Sequence, residues 1–310
     1  MATVANDTAE RLTRSDLVRV IPFILMHLAC LSVFFVGVSW IAVAVAIVVY
    51  FTRVFGLTGF YHRYFSHRAF KTSRWFQFVG AAIGATAVQR GPLWWAAHHR
   101  DHHRYSDKPG DVHSPHVHSF LWSHMGWFMA RKNYELQGDG LKDLWRYPEL
   151  RFLDRHDWVA PTVLAVGLYS LGAACESWAP GLGTSGWQML VWGFLISTIA
   201  LYHVTYAINS LAHTFGTRRY PTRDESRNNL WLALVTFGEG WHNNHHYYPS
   251  SARQGFYWWE IDITYYILRA LAAVGLVWDL RTVPQRVLDE GRIAGESEIP
   301  LTETGSSTNG

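Results

Sequence analysis

A chain of 310 residues with 49% hydrophobic, 15% aromatic and only 16% charged residues departs from a soluble domain, in which about a quarter of residues are charged. A net charge of +3 gives no nucleic-acid footprint. Two cysteines, Cys30 and Cys175, with no Cys-x-x-Cys, exclude a disulfide framework and a thiolate metal site. Sixteen Trp fit a protein with aromatic belts at a membrane interface.

In chain order, residues 1–17 are polar and an apolar run follows Arg19. That imitates a signal peptide, but no small-residue cleavage site follows and apolar character resumes at Trp40, which predicts a retained membrane hairpin. The apolar runs predict four spans, at about 21–36, 40–60, 159–174 and 187–207, each near the roughly 20 residues that cross a bilayer. The segment 74–95 carries Arg74, Gln77, Gln89 and Arg90 among its apolar residues, so it is expected flat in the interface or within the protein. All 27 Lys and Arg lie in 11–19, at Arg53, in 63–155 or in 218–292, and neither the 37–39 turn nor the 175–186 loop has one. The positive-inside rule then places both termini and the middle segment in the cytoplasm. The expected fold class is an all-α integral membrane protein, with four transmembrane helices and a cytoplasmic helical cap. Its membrane domain covers 18–282, with cytoplasmic regions 61–158 and 208–282; 283–310 reads as a polar, disordered tail.

Three histidine clusters punctuate this pattern: His62 and His67; His98, His99, His102 and His103; and His242, His245 and His246. By span parity all three reach one face. His99, His102 and His103 have i, i+3, i+4 spacing, which places them on one helix face within about 100°. His242, His245 and His246 repeat it. Gly91-Pro92 precedes one triplet, Gly238 and Gly240 precede the other, and Pro249 follows it; such residues bound short helical turns. His62 and His67, five apart, diverge by about 140° on a regular helix, so they serve different metals or the helix loosens there. Asn209 and His213 sit one turn apart at the end of the fourth span.

A lone His-x4-His is a surface pair more often than a metal site. Two His-x2-His-His copies plus that pair, all on one face, point to metal. These imidazoles are too many for one four-coordinate ion, so two ions are the economical count. All-nitrogen sites suit iron, zinc or copper; two redox irons explain the ligand number better than hydrolytic zinc. His27, His156 and His203 read as ordinary hydrogen-bonded residues. His113, His116, His118 and His124 read as loop residues, with supporting contacts to ligands as the other option.

In these residues the chain resembles the membrane fatty acyl desaturases, most like the acyl-CoA Δ9 (stearoyl-CoA) type. The resemblance covers about residues 40–260. It rests on Gly59-Phe60-Tyr61-His62-Arg63-Tyr64-Phe65-Ser66-His67, on Trp94-Trp95 through His103-Arg104-Tyr105-Ser106-Asp107, and on Ser123-His124-Met125-Gly126-Trp127. It continues with Asn209-Ser210-Leu211-Ala212-His213 and Gly238-Glu239-Gly240-Trp241-His242-Asn243-Asn244-His245-His246. It implies two iron ions, cycling between Fe2+ and Fe3+, held by His62, His67, His99, His102, His103, His213, His242, His245 and His246, with Asn209 acting through a water. His98 and Asn244 stand where the animal enzymes have Asp and Tyr; neither is a ligand position in the family.

The implied reaction uses dioxygen to insert a cis double bond, Δ9 by resemblance, into a saturated acyl chain on CoA or on a lipid. Electrons come from a separate ferredoxin, rubredoxin or haem protein with its reductase, and the setting is a bacterial inner membrane with a cytoplasmic active site. An unactivated methylene offers no polar handle, so selectivity must come from distance along an apolar tunnel. Trp95, one turn before His99, is a candidate tunnel wall and equally an interface aromatic. Ala46 and Tyr50, about 18–24 Å upstream of His62 along a helix axis, are candidates for limiting tunnel depth. Basic residues in 63–155 and 218–227 could hold a CoA phosphate, although positive-inside topology and anionic-lipid contact explain any one of them better. Two alternatives are a membrane di-iron hydroxylase of an alkane, sterol or carotenoid and a non-enzymatic metal-handling protein. The latter calls for ionisable residues along the spans, which are nearly free of them.

Overall fold

The computed structural model describes Leu12, residues 16–136 and residues 140–297. It is mostly helical, with one two-stranded sheet among the described residues. Among the described residues, three helices are long and apolar enough to cross a membrane: Trp40–Ser66, Val159–Trp178 and Gly186–Ser210. The first predicted span forms a shorter apolar helix, Val20–Val36, broken by a tighter turn over Cys30–Ser32. Gly37 ends it with φ +68°, a conformation that glycine adopts without a side-chain penalty. Ser39 then opens the next helix, its side chain accepting from Ala42 N at 3.4 Å, the usual N-cap device. A capping box of Ser185 and Gln188 starts the last long helix.

The long helices meet through small residues. A Cβ at Gly172 would lie 2.4 Å from Ser185 O, so glycine permits the tight hairpin between Val159–Trp178 and the helix that starts at Gly186. Ala42, Leu168, Met189 and Phe194 form the buried core where these helices touch Trp40–Phe55. Arg53, 1% exposed, ties two of them together by donating to Thr198 Oγ1 at 2.7 Å and Ser197 Oγ at 2.5 Å.

Residues 74–95 fall on two helices, Arg74–Ala85 and Pro92–Tyr105, parted by a turn in which Val88 and Arg90 take φ +59° and +69°, with Pro92 as the first residue of the second helix. Arg74–Ala85 lies against the protein. Its Gly80 and Gly84 leave room for Phe60 and Tyr61, whose rings would meet an added Cβ at 2.0 and 2.3 Å. The strands Lys71–Thr72 and Val277–Trp278 pair antiparallel and return the chain end to the histidine-bearing layer. The polar stretch expected to begin a disordered tail at 283 instead forms a helix over Gln285–Ser297. Composition hides its anchor: Val287 is buried, and Tyr220 and Tyr257 hydroxyls donate to Val287 O and Leu288 O at 2.9 and 2.7 Å. Residues 1–11 and 298–310 of the predicted polar termini lie outside the described residues.

Candidate metal centre

The helix that begins at Trp40 widens over Gly56–Ser66 into a π-helix. Its last bond runs from His67 N to His62 O at 3.2 Å, five residues apart. The wider turn brings His62 and His67 onto one side. Pro92 opens the next ligand helix, and the Asp154 carboxylate caps it by accepting from Leu93 N and Trp94 N at 3.0 and 2.9 Å. The third cluster lies on the short helix His242–Tyr247. The asparagines between its histidines fasten it: Asn243 Oδ1 accepts from Arg219 N and Tyr220 N, and Asn244 Nδ2 donates to Gln254 O and Glu260 Oε2.

These elements gather the nine predicted histidines into two groups: His62, His67, His99, His103 and His245, and His102, His213, His242 and His246. Within each group the ring nitrogens lie within 4.8 Å of one another. The i, i+3, i+4 triplets therefore split. His99 and His103 enter the first group while His102 enters the second; His245 enters the first while His242 and His246 enter the second.

The close contacts are between Nε2 atoms: 2.9 Å for His62–His245, 2.8 Å for His67–His99, 3.0 Å for His213–His242 and 3.3 Å for His102–His246. In the last pair both Nδ1 atoms donate elsewhere, His102 to Asp111 at 3.0 Å and His246 to Asp224 at 2.8 Å. Two Nε2 lone pairs therefore face each other, which is repulsive unless a cation lies between them. Nitrogens bound about 2.1 Å from one metal and about 90° apart sit about 3.0 Å from each other, close to the spacing seen. The donor set fits a nitrogen-liking transition metal.

Carboxylates back the rings, the arrangement that fixes imidazole tautomers at metal sites. His213 Nδ1 donates to Asp107 at 2.8 Å, and His62 Nδ1 contacts Glu239. Glu239 in turn accepts from Arg63 at 3.0 Å, and Arg63 also pairs with Asp262 at 2.9 Å. Burial opposes ionisation of Asp107, Asp111 and Asp224, but their hydrogen-bonded histidines and neighbouring donors hold all three well below the usual carboxylate range. Burial, and then repulsion among the rings, holds His67, His99, His103, His242 and His245 well below the ordinary imidazole range. They are therefore neutral near pH 7, as ligation requires. His102 differs: burial is the largest influence and lowers it, but Asp111, Asp107 and Asp224 together outweigh burial and raise it, so a proton and a metal compete for its Nε2.

Glu239, Asp107, Asp111 and Asp224 received no role from the sequence, and Arg63, grouped there with the basic residues that could hold a CoA phosphate, is instead buried and paired with Glu239 and Asp262. Asp107, Arg63 and Glu239 lie inside the quoted motif strings, and a carboxylate close in sequence to a clustered histidine is the available signal. Among the other histidines, His98 belongs to neither group. It hydrogen-bonds Trp94 O at 3.0 Å and is lowered to about 4, chiefly by burial. His113 joins Asp111 and His102 in a third cluster, and His116 Nε2 donates to His213 O at 2.7 Å. His27, His203 and His124 form a hydrogen-bonded chain with 3.1 Å links, ending at Ser210 Oγ.

A cavity of about 630 Å3 adjoins both groups, with His62, His99, His102 and His242 in its wall. Asn209 and Trp95 also line it, as do Phe23, Met26 and Tyr202. Trp95 stacks on His99 with centroids 5.0 Å apart. Ala46 and Tyr50 are not among the residues lining this cavity: Ala46 is buried in the protein and the Tyr50 hydroxyl donates to Val235 O at 3.1 Å.

Residues 38–281 match the family described as fatty acid desaturase. The Delta-9 acyl-lipid desaturase 1 of Arabidopsis thaliana is 38% identical over 276 residues, covering 86% of this chain and 84% of that one. The sn-1 stearoyl-lipid 9-desaturase of Anabaena variabilis is 33% identical over 287 residues, 92% of this chain and 99% of that one. An acyl-CoA 5-desaturase of Anemone leveillei is 36% identical over 270 residues, 84% and 78% of the two chains. Paired histidine groups, apolar helices long enough to span a bilayer and a match over most of its length make this chain a member of the fatty acid desaturase family, an oxidoreductase.

Proposed function

We propose that this protein is a dioxygen-dependent Δ9 desaturase acting on a saturated acyl chain carried by a membrane lipid. The observation that carries this reading is the cavity whose wall includes members of both histidine groups. A chain threaded there has its methylenes beside the metal positions. Phe23, Met26, Val88, Trp127 and Phe128 make much of the wall apolar, which suits a lipid tail. The relatives from Arabidopsis and Anabaena, both named for position 9, act on acyl lipids by name; the acyl-CoA relative is named for position 5.

In this reading, His62, His67, His99, His103 and His245 hold one iron, and His102, His213, His242 and His246 hold the other, with Asn209 placing a water. Two irons there supply the dioxygen chemistry that removes two hydrogens from adjacent methylenes. The net change is one CH2–CH2, one dioxygen, two electrons and two protons giving one cis CH=CH and two waters. The chain's own residues do the rest. Trp95, held against His99, fixes the path of the acyl chain past the metals. The carboxylates keep the ligand tautomers fixed. The apolar part of the wall excludes water from the chain, and a C–C bond is selected by distance along the cavity.

The Val20–Val36 helix serves as a fourth crossing, near the short end of the roughly 17–25 residues that span a bilayer. The Lys and Arg distribution supports a cytoplasmic histidine layer and cytoplasmic termini. A separate donor protein supplies the electrons. Expression in a host lacking unsaturated fatty acids, followed by location of double bonds in its lipids, tests the reading. Δ9 acyl lipids are expected, with none from His102→Ala. Products that have gained one oxygen rather than lost two hydrogens would indicate a hydroxylase, and double bonds confined to the CoA pool would overturn the lipid carrier.

A further inference from the structure

The two histidine groups differ in what stands behind them. In the four-membered group three rings rest on carboxylates: His102 on Asp111 at 3.0 Å, His213 on Asp107 at 2.8 Å and His246 on Asp224 at 2.8 Å. Neutral donors satisfy those carboxylates. Ser114 Oγ and Glu225 N donate to Asp107, Asp107 N and the His113 ring to Asp111, and Ser226 N and Oγ to Asp224. Among the described residues no Lys or Arg side chain pairs with any of the three. The five-membered group has one carboxylate on a ring, Glu239 on His62. It shares the Arg63 guanidinium with Asp262. Among the described residues the other four rings of that group, His67, His99, His103 and His245, contact no carboxylate. Among the described residues, three carboxylates with no Lys or Arg side-chain partner therefore stand against two carboxylates that share one guanidinium.

All nine ligand rings are formally neutral donors, so the imbalance lies in the surroundings. Negative charge nearby favours the more highly charged metal ion. A carboxylate accepting from Nδ1–H also makes the ring a stronger donor through Nε2, which again favours the ferric state. Both effects act in the same direction and at the same position.

We propose that the two iron positions are redox-inequivalent: the position formed by His102, His213, His242 and His246, backed by Asp107, Asp111 and Asp224, holds its iron ferric to a lower potential than the five-imidazole position. This rests on the two-iron reading above. The first electron from the donor then resides on the five-imidazole iron, and the four-imidazole iron sets the potential that the donor must reach. Asp107, Asp111 and Asp224 act through the ligand rings and are positioning residues.

The test uses the full-length protein in detergent, loaded with 57Fe and reduced stepwise with dithionite under Mössbauer observation. Two ferric doublets are expected, one lost with the first electron equivalent and the other with the second. Asp111→Asn and Asp224→Asn, made separately, are expected to perturb the doublet that is reduced second and to bring the two reductions closer together. Glu239→Gln is expected to perturb the doublet that is reduced first. Disappearance of a doublet from a variant labels its position as well as a shift does, and either set of variants alone assigns both doublets. Reduction of the two doublets in parallel overturns the proposal, as does first reduction of the doublet that the Asp variants perturb. Fewer than two irons per wild-type chain defeats the two-iron reading instead, a different result.

Discussion

His62 and His67 present their rings to one metal-sized space because the backbone between them is wound as a π-turn, closed by His67 N donating to His62 O at 3.2 Å. Phe60 and Tyr61 key that turn into Gly80 and Gly84, where an added Cβ would lie 2.0 and 2.3 Å from the rings. Gly80→Ala is therefore expected to cost about 1–3 kcal/mol through overpacking and to lower iron content with it. Thermal unfolding in detergent and metal analysis on the same sample check this; unchanged values for both would show that the turn does not depend on the fit.

Adjacent histidines separate ligand from neighbour. His102→Ala is expected to reduce bound iron to about one per chain or less and product to background. His98→Ala, one turn from Trp94 and outside both groups, is expected to retain both irons. Equal iron loss in the two variants would contradict the grouping.

A carboxylate behind a ligand typically supports metal affinity by about 10–100-fold. Asp107→Asn, which weakens the bond to His213 Nδ1, is expected to show a loss of that size in competition with a chelator. Retention equal to wild type would leave Asp107 with a purely structural role.

The cavity makes opposite expectations for two apolar positions. Trp95→Ala opens the wall beside His99 and is expected to broaden the positions at which the double bond appears. Ala46→Leu, at a buried residue outside the cavity lining, is expected to leave product positions unchanged and to destabilise by about 1–3 kcal/mol. Fatty-acid analysis with double-bond location reads both.

Acid stability has one assignable contribution. Burial raises the Asp143 carboxyl, but hydrogen bonds from Arg100 and Arg68 outweigh it and bring it down to about 2 from 3.8. A carboxyl depressed in the fold stabilises above its unfolded value, and that stabilisation disappears as pH falls through the folded value. Asp143 therefore contributes fully above about pH 4 and loses its contribution toward pH 2, at most about 2 kcal/mol. The Tm of Asp143→Asn is expected to lie below wild type at pH 6 and to converge with it near pH 2; a constant gap would exclude an electrostatic origin.

Convergence of the histidines is legible from spacing and span parity, because helix periodicity and positive-inside charge both act locally along the chain. Their allocation is not. The i, i+3, i+4 pattern states that His99, His102 and His103 share a face, but a face about 100° wide borders two metal-sized spaces, and only the packing of separate helices decides which ring enters which. The carboxylates are hidden for a related reason: Asp224 and Glu239 meet His246 and His62 through loops whose path no periodicity encodes. The helix over Gln285–Ser297 escapes a compositional reading because its anchors, Tyr220 and Tyr257, lie far away in sequence.

The interleaving of the clusters constrains how the protein can be made. Neither group is complete until His245 and His246 have been synthesised, because the last motif contributes to both. A nascent chain that stops short of His245 offers iron only a partial cradle at either position, so the two positions become complete together, over two successive residues of the last motif.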